Sequence, residues 1–122
     1  MIFNSVDELV GSTPMVLLKS FSSDKVRIYA KLEFYNPSGS TKDRIVLSML
    51  RDAINRGLIK DTHVLLEPTS GNTGISLALI GCVYGYRVSL VVPKDISPDK
   101  RALLEILGAE IIEVDSEASA YE

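Results

Sequence analysis

The spacing of apolar residues changes several times along the chain, and each change marks an expected element. Met15 to Leu18 and Val26 to Phe34 carry strand-type residues, with turn-forming Ser22, Ser23 and Asp24 between them, and read as an antiparallel pair. Tyr35 to Ser40 combines Asn, Pro, Ser and Gly and reads as a loop, because Pro37 and Gly39 break regular structure. From Lys42 onward Ile45, Val46, Met49, Leu50, Ala53 and Ile54 recur at steps of one and three, the stripe of an amphipathic helix, with Leu47 off it. Gly57 is placed to end this helix as a C-cap. Ser40 is placed to cap its start, with Asp43 three residues on in a capping-box arrangement, so Lys42 falls in the first helical turn.

The remainder alternates between strand and helix periods. The pattern predicts a strand over Val64 to Leu66, a helix from about Thr73 to Tyr84, a strand over Arg87 to Val92, a helix over Pro98 to Leu107 and a strand over Glu110 to Val114. Val88 to Val92 is nearly continuous in apolar residues, as expected where helices cover both faces of a parallel sheet. Ser97 as N-cap, Pro98 at the first helical position and Gly108 just past the end frame the third helix. The expected fold class is α/β, a three-layer parallel-sheet βαβαβ unit with right-handed crossovers, preceded by the short antiparallel strand pair. The pattern stops at Ser116 to Glu122, where a further helix and strand are expected.

Composition narrows the function classes. With 46% hydrophobic and 24% charged residues in 122, the chain has the makeup of one folded domain rather than a disordered segment. The net charge of -3 comes from 16 acidic and 13 basic residues mixed along the chain, which offers no basic surface for nucleic acid. Cys82 is the only cysteine, which rules out an internal disulfide and a thiolate metal cluster and fits a reducing, cytoplasmic setting. Met1 to Gly11 lacks the basic start and long apolar run of a signal peptide. The longest apolar stretch, Ile75 to Tyr84, is interrupted by Ser76 and Gly81 and falls short of the about 20 residues a bilayer requires, so the expectation is a soluble protein with no membrane partner.

Two loops carry candidate chemistry, and both lie where an open α/β sheet places ligands, at strand ends facing helix starts. In Glu67-Pro68-Thr69-Ser70-Gly71-Asn72-Thr73-Gly74 a strand gives way to a helix through hydroxyl, amide and glycine residues. Helix-start N–H groups with the hydroxyls of Thr69, Ser70 and Thr73 suit a carboxylate or phosphate. The alternative is that Gly71 and Gly74 serve only a tight turn and Thr73 only a cap. The Gly-Lys-Ser/Thr ending of a nucleotide-binding phosphate loop is missing. The first loop adds Lys42 at a helix N-terminus, where the positive end of the dipole disfavours a second positive charge and favours the nucleophilic amine. A lysine in a first turn is more often a solvated surface residue, so Lys42 counts only together with the second loop.

Read together, NPSGSTKDR at Asn36 to Arg44 and EPTSGNTG at Glu67 to Gly74 resemble the β-family of pyridoxal-phosphate enzymes that share the tryptophan synthase fold (fold type II). Within it they resemble cysteine synthase and cystathionine β-synthase. GSTPMVLL at Gly11 to Leu18 resembles that family's opening loop, and VPKDISPDKRALLEILGAEI at Val92 to Ile111 the segment after its second crossover. Serine and threonine dehydratases of this fold have other residues around the lysine and in the second loop, so the match favours β-replacement.

The resemblance implies that Lys42 forms the Schiff base with pyridoxal 5'-phosphate and acts as general base at the substrate α-carbon. It implies that Asn72 bonds the cofactor's ring oxygen, and that Thr69, Ser70, Gly71, Asn72 and Thr73 bind the substrate carboxylate. The implied reaction is cysteine synthesis from O-acetylserine and sulfide through an aminoacrylate; a cystathionine β-synthase-like replacement and a non-catalytic truncated module stand as alternatives. Asp43 and Arg44 read as a cap and an inter-element ion pair, and His63 and Cys82 as structural residues. Relatives of this kind are considerably longer and keep their phosphate cradle beyond the length seen here, so the match covers only their N-terminal part. On that basis residues 1–36 are expected to belong to the larger domain of such enzymes, and 37–122 to part of the smaller, movable one. A small amino-acid substrate and sulfide, a homodimer and serine acetyltransferase are the partners implied.

Overall fold

The computed structural model describes residues 2–69 and 71–115, which form two sheets. Met15–Leu17 (β1) pairs antiparallel with Tyr29–Lys31 (β2), Val16 opposite Ala30. β2 is shorter than the expected Val26 to Phe34. Its register matches only the three residues of β1, and beyond them Glu33–Tyr35 winds into a 3-10 turn.

Lys42–Asn55 (α1) follows, and then the alternating unit Val64–Pro68 (β3), Asn72–Val83 (α2), Arg87–Pro93 (β4), Pro98–Ile106 (α3) and Glu110–Val114 (β5). β4 lies between β3 and β5, and both pairings are parallel. The α/β class and the order of elements agree with the expectation, as does the run of turn chemistry that separates them. α1 and α3 both end in Schellman motifs: Leu58 N donates to Ala53 O and Gly57 N to Ile54 O, both at 2.9 Å, with the same pattern repeated at Gly108 and Ala109. Ser97 stands at the N-cap of α3 in extended geometry, but its hydroxyl does not cap; its carbonyl accepts from Arg101 N at 3.0 Å.

Two apolar clusters hold the elements together. Ala78 of α2 and Leu104 of α3 pack with Val88, Leu90 and Val92, alternate residues that share one face of β4. Val46, Leu47 and Leu50 of α1 pack on Ile80 of α2, and Leu65 and Leu77 border both clusters. The buried face of α1 differs from the apolar stripe of its sequence. Leu47 is buried, whereas Ile45 and Met49 are exposed and line an open groove toward β3. The helix is rotated to seat against α2 and Val10, a choice made by tertiary packing and invisible to periodicity. Among the described residues no helix is long and apolar enough to cross a membrane.

The approach of α2 to β4 is closest at Gly81, where an added Cβ would lie 2.5 Å from Val88 Cγ2. Gly81→Ala should therefore destabilise the chain by about 1 to 3 kcal/mol from overpacking, less the about 1 kcal/mol that alanine returns in helix propensity. Thermal unfolding followed by circular dichroism would register this as a lower midpoint, and an unchanged or raised midpoint would contradict the close approach.

Candidate active site

Lys42 opens α1, half-buried, and Ser40 Oγ accepts its backbone N–H at 3.2 Å. Thr41, not Ser40, occupies the N-cap position and makes no side-chain cap bond, so the Ser40 hydroxyl closes the turn from one residue further back than expected. Asp43 does not complete a capping box. Its side chain is fully buried and turns away from the helix end. Oδ2 accepts the Ser38 N–H at 2.8 Å, and Oδ1 accepts the Ser38 hydroxyl and, at 2.5 Å, the Ser76 hydroxyl. Ser38 belongs to the loop before α1 and Ser76 to α2, so one carboxyl group joins three segments. A polar group sealed from water must find such donors, and these are the ones within reach.

Arg44 faces another way. Its Nε donates to Glu33 Oε2 at 2.7 Å and its Nη2 to Glu33 Oε1 at 3.0 Å and Thr13 Oγ1 at 3.1 Å. Asn36 Nδ2 also donates to Glu33 Oε2 at 3.0 Å, while Asn36 Oδ1 accepts the Gly11 N–H at 2.8 Å. The inter-element ion pair expected of Arg44 is thus present. Hydrogen bonds from Arg44, then from Thr13, hold the Glu33 carboxyl at about 2, well below its ordinary 4.5; burial opposes them, and Asn36 and the Arg44 charge add to them.

The second loop is organised around Thr69. Its N–H donates to Val91 O at 3.0 Å, and its hydroxyl oxygen accepts the Gly71 N–H at 3.1 Å, which leaves the hydroxyl proton available to a ligand. Gly71 precedes α2 in extended geometry. Gly74 has a packing role: a Cβ there would lie 3.0 Å from the Thr69 methyl and 3.3 Å from Leu90 Cδ1. Gly71 has no such restriction, since its added Cβ would meet only Thr69 Oγ1, at 3.7 Å. Asn72 is exposed at the helix start, Thr73 is half-buried, and Ser70 lies outside the described residues. The leading N–H groups of α2 have no acceptor within the helix, as at any helix start.

The Asp43 to Ser76 bond relates the two loops. Lys42 is one residue from Asp43, and Asn72 is one helical turn, about 6 Å of rise, before Ser76. The first turn of α1 therefore lies beside the second turn of α2, one helical turn beyond Asn72. Neither Ser76 nor the inward turn of Asp43 was read from sequence as part of the site. The available signal was a lone hydroxyl in the apolar run from Ile75 to Ile80.

A further anchor fixes the start of the chain. Asp7, in a 3-10 turn over Val6–Leu9, accepts from Arg51 Nη2 at 2.8 Å and Tyr84 OH at 2.9 Å, and Tyr84 OH accepts from Arg51 Nε at 2.9 Å. The Ser5 hydroxyl, then Arg51 and Tyr84, bring the Asp7 carboxyl to about 2 against the effect of burial, from an ordinary 3.8.

A parallel α/β unit with a hydroxyl-amide loop between the end of β3 and the start of α2 has the layout in which open α/β sheets bind ligands at their strand ends. The family model for pyridoxal-phosphate dependent enzymes matches residues 6–122, and the chain belongs to that family. It is 48% identical over 120 residues to cystathionine beta-synthase of Saccharomyces cerevisiae, covering 95% of this chain and 24% of that protein. It is 46% identical over 115 residues to cysteine synthase B of Salmonella typhimurium, covering 93% of this chain and 38% of that protein. The crystal structure of a hydrogen sulfide-producing enzyme from Fusobacterium nucleatum superposes with a TM-score of 0.91 at 42% identity, over 98% of this chain and 40% of that one. The chain thus spans well under half the length of these relatives.

Both lowered carboxyls link stability to pH. A group whose pKa is lower folded than unfolded stabilises the fold above the unfolded value, and loses that contribution as pH falls toward the folded one. For Glu33 the window runs from about 4.5 down to about 2. Thermal midpoints should fall across this range in the unmodified chain, and Glu33→Gln should lower the midpoint at neutral pH while flattening the acid slope. An acid slope of equal steepness in Glu33→Gln would rule out the linkage.

Proposed function

We propose that this chain is the lysine-bearing part of a pyridoxal-phosphate enzyme that replaces the β-substituent of an activated serine. Formation of cysteine from O-acetylserine and sulfide is the particular reaction. The observation that carries the reading is the Asp43 to Ser76 contact, because it joins the lysine-bearing first turn to α2 one helical turn from the hydroxyl-amide loop. Similarity to a cysteine synthase supports the choice of reaction.

The donor set fits the cofactor. Lys42 offers a primary amine to an aldehyde, Asn72 a carboxamide to a ring oxygen, and Thr69 and Thr73 hydroxyls to a carboxylate beside the leading N–H groups of α2. Ser70 completes this set by sequence. When bound, pyridoxal phosphate supplies an electron sink for charge developing at the substrate α-carbon. Lys42 would hold the cofactor through Nζ and, once released from it, take the α-proton. Thr69, Thr73 and the start of α2 would fix the carboxylate so that this proton faces the amine, and a fixed donor and acceptor pair lowers the cost of the transfer. An amino acid and a small nucleophile are the partners required, with a homodimer as the implied assembly. The boundary near residue 36 would separate a larger-domain portion carrying β1 and β2 from a smaller-domain portion carrying the parallel sheet.

The similarity to a cystathionine beta-synthase favours a second reading, in which homocysteine is the nucleophile. Product analysis with sulfide and homocysteine in competition distinguishes the two.

The resemblance implies a phosphate cradle outside residues 1–122. The 122-residue chain alone is therefore expected to bind the cofactor weakly, since each missing charge-assisted hydrogen bond removes about 1.5 to 3 kcal/mol. Borohydride reduction in the presence of pyridoxal phosphate should nevertheless fix it on Lys42 in preference to the other lysines, and Lys42→Ala should remove that adduct. Label distributed evenly over surface lysines in both proteins would defeat the assignment.

A further inference from the structure

We propose that Ser38, Asp43 and Ser76 are positioning residues that aim Lys42 at the start of α2, an inference that rests on the assignment of Lys42 above. Asp43 and Ser76 are each fully buried, and neither touches the atoms that the proposed chemistry uses. Their bond at 2.5 Å, with Ser38 Oγ 2.9 Å from Ser76 Oγ, closes a three-residue polar knot between the lysine helix and its neighbour.

Helix geometry makes this knot directional. Successive residues project about 100° apart, so the direction in which the Lys42 Cα–Cβ bond leaves the helix is set once those of its neighbours are. Asp43 is held toward α2 and Arg44 toward Glu33, two anchors on consecutive residues pointing different ways. The two anchors together restrict the roll of the first turn about its axis. On α2, Ser76 sits on the same face as Asn72, one turn later, so the same bond fixes the azimuth of the loop residues. The apolar contacts of Val46, Leu47 and Leu50 with Ile80 lie further along and leave the helix starts less constrained. Ser38 N–H, bonded to Oδ2 at 2.8 Å, ties the preceding loop to the same point.

The test compares Ser76→Ala and Ser38→Ala with Ser89→Ala in the 122-residue chain. Ser89 is also buried and its hydroxyl donates to Glu110 at 2.6 Å, but it lies on the β4 to β5 ladder away from both helix starts. Each variant is checked for folding by circular dichroism, labelled with pyridoxal phosphate and borohydride, and mapped by mass spectrometry. The readout is the ratio of label at Lys42 to label at other lysines. Loss of the knot should lower that ratio on the order of three- to ten-fold in Ser76→Ala, with a fall in the same direction in Ser38→Ala, and leave it unchanged in Ser89→Ala. Amide exchange at Ser38 should quicken in Ser76→Ala alone. If the unmodified chain labels Lys42 selectively but Ser76→Ala and Ser38→Ala do so equally well, the positioning role is overturned while the site assignment stands. An equal fall in Ser89→Ala also overturns it, by assigning the effect to general loosening. Absence of selectivity in the unmodified chain defeats the site assignment and this inference with it.

Discussion

The Asp43 carboxyl, shut away from water between a loop and two helices, is the constraint on which the arrangement of the site depends. A buried polar group without partners is costly, so this position tolerates only conformations that deliver Ser38 and Ser76 to it. Those conformations fix the path of the loop before α1, the start of α1 and its contact with α2 together. Apolar packing of Val46, Leu47 and Leu50 on Ile80 supplies the larger share of the attraction between the helices, but burial of area is non-directional and accepts small rolls and slides. Hydrogen bonds weaken steeply when misaligned, so they select among the poses that packing permits.

A second network works on the same helix from another direction. Glu33 gathers Arg44, Thr13 and Asn36, and Asn36 in turn accepts from Gly11, so the early loop, the 3-10 turn after β2 and the first turn of α1 share one set of bonds. Asp7 repeats the device with Arg51 and Tyr84, linking the chain start to the middle of α1 and the end of α2. α1 is thus held at three places by buried or half-buried polar groups, each joined to a different segment. The helix that carries the lysine is also the element through which the early strands and the parallel unit are connected.

Much of this was legible in the sequence, for identifiable reasons. Strand and helix periods differ enough that β3 to β5 and the three helices appear in order, and Gly57 and Gly108 mark helix ends because only their backbones accept the left-handed turn without strain. The position of Lys42 in a first turn followed from Ser40 and the onset of the helical period. What escaped depends on particular distant partners, although the ion pair of Arg44 did not escape. β2 was overestimated because strand propensity runs on past the three residues that β1 can pair. Leu47 was placed off the buried face because the roll of α1 is decided by α2. Asp43 was read as a local cap because its spacing from Ser40 suits one; no local pattern reveals Ser76 as the competing donor, thirty-three residues away.

The same distinction bears on why a polar knot sits at this point. The proposed chemistry asks one amine to hold a cofactor and then to receive a proton, and both acts need the amine aimed at nearly the same place. A displacement of about 1 Å is enough to cost orders of magnitude in such transfers. An apolar contact between the helix starts would bring them together, with a tolerance wider than that. A carboxyl that must satisfy two hydroxyls and one N–H admits fewer solutions, and the site gains direction where it gains little in stability. Ser76 in an otherwise apolar run is hard to explain by helix packing alone; it becomes intelligible as the donor that gives the neighbouring carboxyl its orientation.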